Sequence, residues 1–331
     1  MQRAWAAVTL AGLCMMTACS SSSAAVPASG QAGGGTPTGI PVTSPTRTAS
    51  VTTTAPARTA AAATASAVPP PVPAPRVTVS QVRTGDGSVV TVATFRGPVR
   101  YVLHNGSADP GPAAAGLVRA GPAVTGAERQ RLLAVFNGGF KLGAGAGGYE
   151  QESHVISPLQ TGYASLVIDR SGRARIGIWA HGLPAPGEAV YSVRQNLQLL
   201  VEHARPTPAA ADWGLWGATL GGGEYVARSA LGQDASGDLM FAASMSAAPY
   251  DLADALARSG ARIAMELDIN PAWVQLDTAR RPGGRLTAAV PGQNRPADQY
   301  LVGWTRDFIT VLASPAAAPA AAPPVNSRLR Q

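Results

Sequence analysis

The sequence predicts an α+β domain built on a mostly antiparallel or mixed sheet with few helices. Three observations predict it. Short β-rich stretches recur along the chain, and Gly-containing turn signals separate them. Only two segments carry a helical pattern. Strands and helices do not alternate regularly, which argues against a parallel α/β sheet.

The elements follow in order. Segments 77–79, 88–95 and 99–103 read as strands, with turns at 84–87 and 96–98. Segment 127–133 reads as a short helix, with Thr125 placed to cap it. An apolar run, Leu133-Ala134-Val135-Phe136, leads into Asn137-Gly138-Gly139-Phe140. Segments 164–169 and 174–179 flank Arg170-Ser171-Gly172-Arg173, a hairpin signal. Segment 191–201 reads as one extended run, and 228–233 and 238–243 flank the turn Asp234-Ala235-Ser236-Gly237. The clearest helix follows. Ser246 is placed to cap it, Leu252, Ala255 and Leu256 form its apolar stripe, and Gly260 ends it. Strands at 261–269 and 305–312 complete the domain, and no internal repeat is evident.

Composition limits the function classes. The chain has 331 residues, 46% of them hydrophobic and 14% charged, with 37 Gly and 28 Pro, the mix expected of a folded domain joined to low-complexity segments. The 26 basic residues are 25 Arg and Lys141, and all 19 acids lie within 76–314. Five Arg lie outside that stretch, so the domain carries 21 − 19 = +2. The basic excess belongs mostly to the ends, and nucleic-acid binding is not expected.

Segment 1–18 reads as a signal peptide. Arg3 precedes an uncharged apolar run over 4–16, too short to span a membrane, and Met16-Thr17-Ala18-Cys19 resembles a bacterial lipobox. That implies acylation of Cys19 and an extracytoplasmic, membrane-anchored protein, with secretion as the alternative. The chain's other cysteine, Cys14, falls in the removed part, so no disulfide is expected in the domain. Segment 19–75 is mostly Ser, Ala, Thr, Pro and Gly, with two Arg and no acid or aromatic residue, a disordered tether expected to reach on the order of 40 Å. The Ala/Pro-rich 315–331 reads as a disordered tail.

The segment richest in chemistry is Ile263-Ala264-Met265-Glu266-Leu267-Asp268-Ile269-Asn270-Pro271. Side chains alternate along a strand, so Glu266, Asp268 and Asn270 are expected on one face at about 7 Å spacing, with apolar residues on the other. Two acids held close have their pKa values pushed apart, as acid/base chemistry requires. A solvated strand face, or acids paired structurally with arginine, is the alternative. Pro271 ends the ladder and Trp273 follows in a loop, where it could stack on a sugar ring. Gly138-Gly139 permits a tight reversal or close approach of a ligand. Gly221-Gly222-Gly223-Glu224 lacks the following Lys-Ser/Thr of a phosphate loop. His104, His154, His181 and His203 show no metal-ligand spacing, and no Gly-x-Ser-x-Gly elbow occurs. No cofactor is expected; a divalent cation held by Glu266, Asp268 and Asp298 is possible in chemical terms.

Phe136-Asn137-Gly138-Gly139-Phe140, Arg228-Ser229-Ala230-Leu231-Gly232, Glu266-Leu267-Asp268 and Asn294-Arg295-Pro296-Ala297-Asp298 occur in this order over roughly 99–312. Together they resemble the phosphodiester glycosidase domain family. The resemblance implies that Asn137, Arg228, Asp268, Asn294 and Arg295 line one pocket. The family usually has Asn-Leu-Asp followed by a Gly-rich loop; this chain has Glu266-Leu267-Asp268 followed by Ile269-Asn270-Pro271-Ala272-Trp273. Gain of Glu266 favours a two-acid glycosidase. The expected protein is thus an envelope-tethered hydrolase of a glycosidic or sugar-1-phosphodiester bond. Asp268 and Glu266 would be catalytic, and Asn137, Gly138, Gly139, Arg228, Asn270, Asn294, Arg295, Asp298 and Trp273 would bind a carbohydrate or sugar phosphate. The alternative is a non-catalytic glycan-binding or scaffolding lipoprotein of the envelope.

Overall fold

A computed structural model describes residues 74–217 and 222–314. The expected signal peptide, Cys19, nearly all of the tether, the 315–331 tail and Gly221 lie outside the described residues. Among the described residues seventeen strands run in chain order: β1 (Arg76–Arg83), β2 (Val89–Arg96), β3 (Val99–His104), β4 (Leu132–Asn137), β5 (Tyr149–Gln151), β6 (His154–Ser157), β7 (Ala164–Ile168), β8 (Ala174–Ile178), β9 (Ser192–Gln195), β10 (Leu199–Glu202), β11 (Arg205–Pro206), β12 (Val226–Asp234), β13 (Leu239–Ala247), β14 (Ala261–Glu266), β15 (Leu276–Ala279), β16 (Leu286–Ala288) and β17 (Phe308–Ala313). The α-helices among the described residues are α1 (Gly126–Arg131), α2 (Pro249–Arg258) and α3 (Gln299–Val302). Many strands and few helices make this an α+β fold.

The strands form three sheets, ordered β1-β2-β13-β12-β14-β10-β11, β16-β15-β4-β17-β3 and β6-β5-β9-β7-β8. Every strand pair in them is antiparallel. Inward-facing residues of all three sheets share one core. Phe95 of β2, Phe136 of β4 and Phe241 of β13 form its aromatic centre, with ring centroids 5.6 and 5.0 Å apart along the series. Tyr149, Leu166 and Ile168 enter the same core from the third sheet. Helix α2 covers the other face of the first sheet, setting Leu252 and Leu256 against Val92, Met240 and Ala264.

The two local hairpins, β7–β8 and β12–β13, form where the turn signals place them. Other expectations are corrected. Ser246 does not cap α2, because β13 runs on to Ala247. The helix starts instead at Pro249, whose φ is already helical, and Asp251 Oδ2 accepts from the Ala248 N–H at 2.9 Å. Thr125 stands at the N-cap of α1, but its side chain makes no cap bond. The expected run at 191–201 is two strands in different sheets, β9 and β10, broken at Leu197, which has φ +51°. The strand expected over 261–269 stops as a ladder at Glu266.

That last boundary positions the site. Beyond β14 the backbone stays beside β12 of the first sheet, where Asp268 O accepts from the Ser229 N–H at 3.0 Å, and also meets the end of β4 of the second, where the Asp268 N–H donates to Gly138 O at 3.1 Å. Asp268 therefore sits where the ends of β14 and β4 meet beside β12.

Candidate functional site

Met265 and Leu267 point into the central core, as the alternation requires, and Glu266 lies on the opposite face of its strand. The expectation that Glu266 and Asp268 act together in one site is corrected. Glu266 and Arg228 are each 0% exposed and pair at 2.9 Å. Arg228 also donates to Ala247 O at 3.1 Å, Trp216 O at 3.2 Å and Glu224 O at 3.5 Å. Its guanidinium is spent inside the protein, tying the chain before β12 to the ends of β13 and β14. Burial pushes the Glu266 carboxyl up, while the Arg228 charge pulls it back.

Asp268 is placed differently. It lines a cavity of about 540 Å³ together with Phe140, Lys141, Asn270, Pro271 and Arg306. Although only 3% exposed, its carboxyl is the acid that faces this space. Oδ1 accepts from the Asn270 N–H at 2.9 Å, and Oδ2 accepts from Arg306 Nη1. Burial pushes the Asp268 carboxyl up to about 6, against the pull of Arg306 and the Asn270 N–H. A carboxyl poised there exchanges protons under ordinary conditions.

Arg306 is the residue that sequence reasoning missed. Its Nη2 reaches Gly139 O at 3.3 Å and Asp109 Oδ2 at 3.6 Å, so one guanidinium joins Asp268, the Gly-Gly turn and a third chain segment. Beside it, Asp307 pairs with Arg194 at 2.7 Å, both 1% exposed in their side chains. Two opposite charges in succession, Arg306-Asp307, stand immediately before an apolar strand. That was the available signal, since charges adjoining a buried strand need partners.

The two glycines have a packing role. A Cβ on Gly138 would lie 1.9 Å from Asp307 Oδ2, and one on Gly139 would lie 2.9 Å from both Arg194 Cζ and Asn196 Oδ1. The turn has to be glycine for the buried Arg194–Asp307 pair to approach it. Gly138→Ala is accordingly expected to destabilise the protein by about 1–3 kcal/mol, the usual range for overpacking. A lowered urea midpoint at unchanged m-value would show it. Asn137 is likewise structural in its contacts: it donates to Ser229 Oγ at 2.8 Å and accepts from the Gln275 N–H at 3.1 Å.

The remaining expected residues lie around and beyond the rim. Asn270 lines the cavity. Arg295 does not; its guanidinium is stacked against two indoles that also meet each other, 4.5 Å from the Trp273 centroid and 4.7 Å from that of Trp304, with the two rings 5.8 Å apart. Trp273 also lies 5.9 Å from the Arg306 guanidinium, which links this stack to the cavity edge, and Trp304 is 58% exposed. The loop carrying Arg295 is held by a buried acid. Gln275 and Gln293 donate to Asp277 at 2.5 and 2.8 Å and also to Pro296 O and Arg295 O. Burial pushes the Asp277 carboxyl up to about 7 despite those two amides. Asn294, which donates to Pro271 O at 2.9 Å, and Asp298, at the start of α3, are exposed and do not line the cavity. The pocket expected from Asn137, Arg228, Asp268, Asn294 and Arg295 is therefore not assembled; of these five, Asp268 alone lines it.

The arrangement offers a carboxyl paired with Arg306 in a cavity that Lys141 and Phe140 also line. Among the described residues no group of three or more His, Cys, Asp or Glu side chains converges on a metal site. Nor is any helix among them long and apolar enough to cross a membrane.

No protein-family model matches the chain, and no curated protein matches it. Solved structures do. The catalytic domain of zebrafish N-acetylglucosamine-1-phosphodiester alpha-N-acetylglucosaminidase, auto-inhibited by its pro-peptide, is 14% identical with a TM-score of 0.46; the match covers 73% of this chain and 83% of that one. A hypothetical protein from Synechocystis is 13% identical with a TM-score of 0.46, and the match covers 73% of this chain and 62% of that one. A protein of Burkholderia pseudomallei described as exported is 14% identical with a TM-score of 0.26, over 72% of this chain and 58% of that one. At this distance the likeness carries no activity across, and function has to be argued from the residues around Asp268.

Proposed function

We propose that the protein hydrolyses a sugar-1-phosphodiester or a related glycosidic bond at the Asp268 cavity. The observation that supports this is a single carboxyl, raised to about 6, lining a cavity of about 540 Å³ together with Arg306 and Lys141. Two cations lining one cavity with the acid favour a substrate whose leaving group bears negative charge. The Arg306 bond favours ionised Asp268, so the carboxylate acts as the base. It takes a proton from a water attacking the anomeric carbon; the bond from that carbon to the phosphate oxygen breaks, and a phosphomonoester departs against Arg306 and Lys141. Such a leaving group needs no proton at neutral pH, which fits a site with one acid rather than two. Glu266 has no place in this scheme. A cation is not required by it, although Asp268 could ligate one.

The setting proposed is extracytoplasmic, with the domain held to the membrane by a lipid on Cys19 and the tether of 19–75. The Met16-Thr17-Ala18-Cys19 sequence supports it.

The test is turnover of a chromogenic glycosyl phosphodiester by the purified protein, with and without EDTA, across pH. A base with a pKa of about 6 gives a kcat/KM that is high above pH 6 and falls tenfold per unit below it. A profile falling above pH 6 instead makes Asp268 a general acid and moves the substrate to a neutral glycoside. Binding without turnover at every pH returns the protein to the glycan-binding class.

A further inference from the structure

A second cavity lies outside the site described above and shares no lining residue with it. It measures about 370 Å³ and forms where β3, an edge strand of the second sheet, meets β7 and β9 of the third. Three arginines from separate segments line it: Arg100 on β3, Arg119 in the loop before α1, and Arg170 in the β7–β8 turn. We propose that this cavity binds an oxyanion, foremost a phosphoryl group.

The charges in the cavity are unequally committed. The Asp169 carboxylate is consumed within its own turn. It accepts from the Ser171 N–H at 2.7 Å, Ser171 Oγ at 2.5 Å, the Arg173 N–H at 3.0 Å and Arg173 Nε at 3.1 Å. Glu152 accepts from the Ala120 N–H at 2.8 Å and the Arg119 N–H at 3.0 Å, with Arg119 Nε at 3.4 Å. Asp169 is thus satisfied by its own turn, and Glu152 by the 119–120 segment. Among the described residues neither Arg100 nor Arg170 pairs with a carboxylate. Arg100 donates to Arg170 O at 3.2 Å and keeps its other donors. Arg170 lies 5.3 Å above the Tyr191 ring, whose hydroxyl receives Arg119 Nη2 at 3.2 Å. Tyr191 therefore touches two of the three guanidinium groups, of which Arg119 has an 89% exposed side chain.

Arg100 is positioned by a glycine. Gly172 has φ +82°, and a Cβ there would lie 2.8 Å from Arg100 Cβ and 3.0 Å from its Nε. The Arg100 side chain crosses the turn through space that only glycine leaves open. Guanidinium forks held in fixed directions match the oxygens of phosphate and carboxylate groups, and three of them favour the more highly charged of the two. The phosphoryl group could belong to a soluble ligand or to a lipid headgroup.

The test is titration of the purified protein at low salt with inorganic phosphate and with glycerol phosphate by calorimetry. In parallel, co-sedimentation is measured with phosphatidylglycerol vesicles and with phosphatidylcholine vesicles. Binding to the soluble probes, or to the anionic vesicles alone, supports the site and identifies the source of the phosphoryl group. Arg100→Ala/Arg170→Ala should weaken that binding about tenfold or more, equivalent to losing charge-assisted bonds, while leaving the hydrolysis of a glycosyl phosphodiester unchanged. Gly172→Ala keeps every charge but displaces Arg100, and should weaken binding too. No binding to any probe overturns the proposal. So does binding that survives the double substitution, or binding that Gly172→Ala leaves intact at an unaltered melting temperature.

Discussion

Asp268→Asn is expected to lower kcat/KM for a glycosyl phosphodiester by about 10²–10⁴-fold, the usual contribution of a positioned acid or base. The substitution keeps the volume of the side chain and an oxygen to accept from Arg306 Nη1 or the Asn270 N–H, so the cavity wall is retained. What goes is the capacity to take a proton. Stability should not fall with activity. Burial raises the Asp268 carboxyl above its unfolded value, so its contribution to stability is fully present below about pH 4 and is lost as pH rises through about 6. A neutral amide avoids that loss at pH 7. Steady-state kinetics beside urea unfolding at pH 7 separate the two effects. Activity retained in a well-folded Asp268→Asn protein would remove Asp268 from the chemistry.

The reason Asp268 was legible and its partners were not is physical. Alternation along 263–269 separates polar from apolar positions within one short segment, and local periodicity is what a sequence displays most directly. The same is true of the β7–β8 and β12–β13 hairpins, whose turns lie between their strands. Arg306 comes from 38 residues away, and Arg194 reaches Asp307 across 113 residues. No local pattern records such meetings. Alternation also says which face a side chain takes but not what covers that face, so Glu266 and Asp268 read alike in sequence while only one reaches a cavity. Gly138-Gly139 was readable as a place of close approach, yet what approaches is the Arg194–Asp307 pair. The run at 191–201 breaks where Leu197 takes a left-handed conformation that leucine rarely adopts. Nothing in the residue type announces such a break.

Arg228→Ala is expected to destabilise the protein by about 3–5 kcal/mol, the cost of leaving one member of a buried ion pair behind. Glu266 Oε2 already lacks a partner, and Oε1 would lose its bond from Arg228 Nη1. Three carbonyls, of Ala247, Trp216 and Glu224, would lose a donor as well. The Glu266 carboxyl, raised by burial, would rise further without the opposing charge and take up a proton. The sign of the pH dependence follows. An acid whose folded pKa lies above its unfolded one contributes stability below the unfolded value and loses it as pH rises, so the variant should be less damaged at pH 5 than at pH 8. Adding Glu266→Leu to Arg228→Ala should recover only part of the loss, because the carbonyls remain unpaired. Urea unfolding of the single and double variants at both pH values measures each term. If the pair were a substrate clamp rather than a structural tie, Arg228→Ala would cost activity while shifting the unfolding free energy by less than about 1 kcal/mol, the range of an exposed pair.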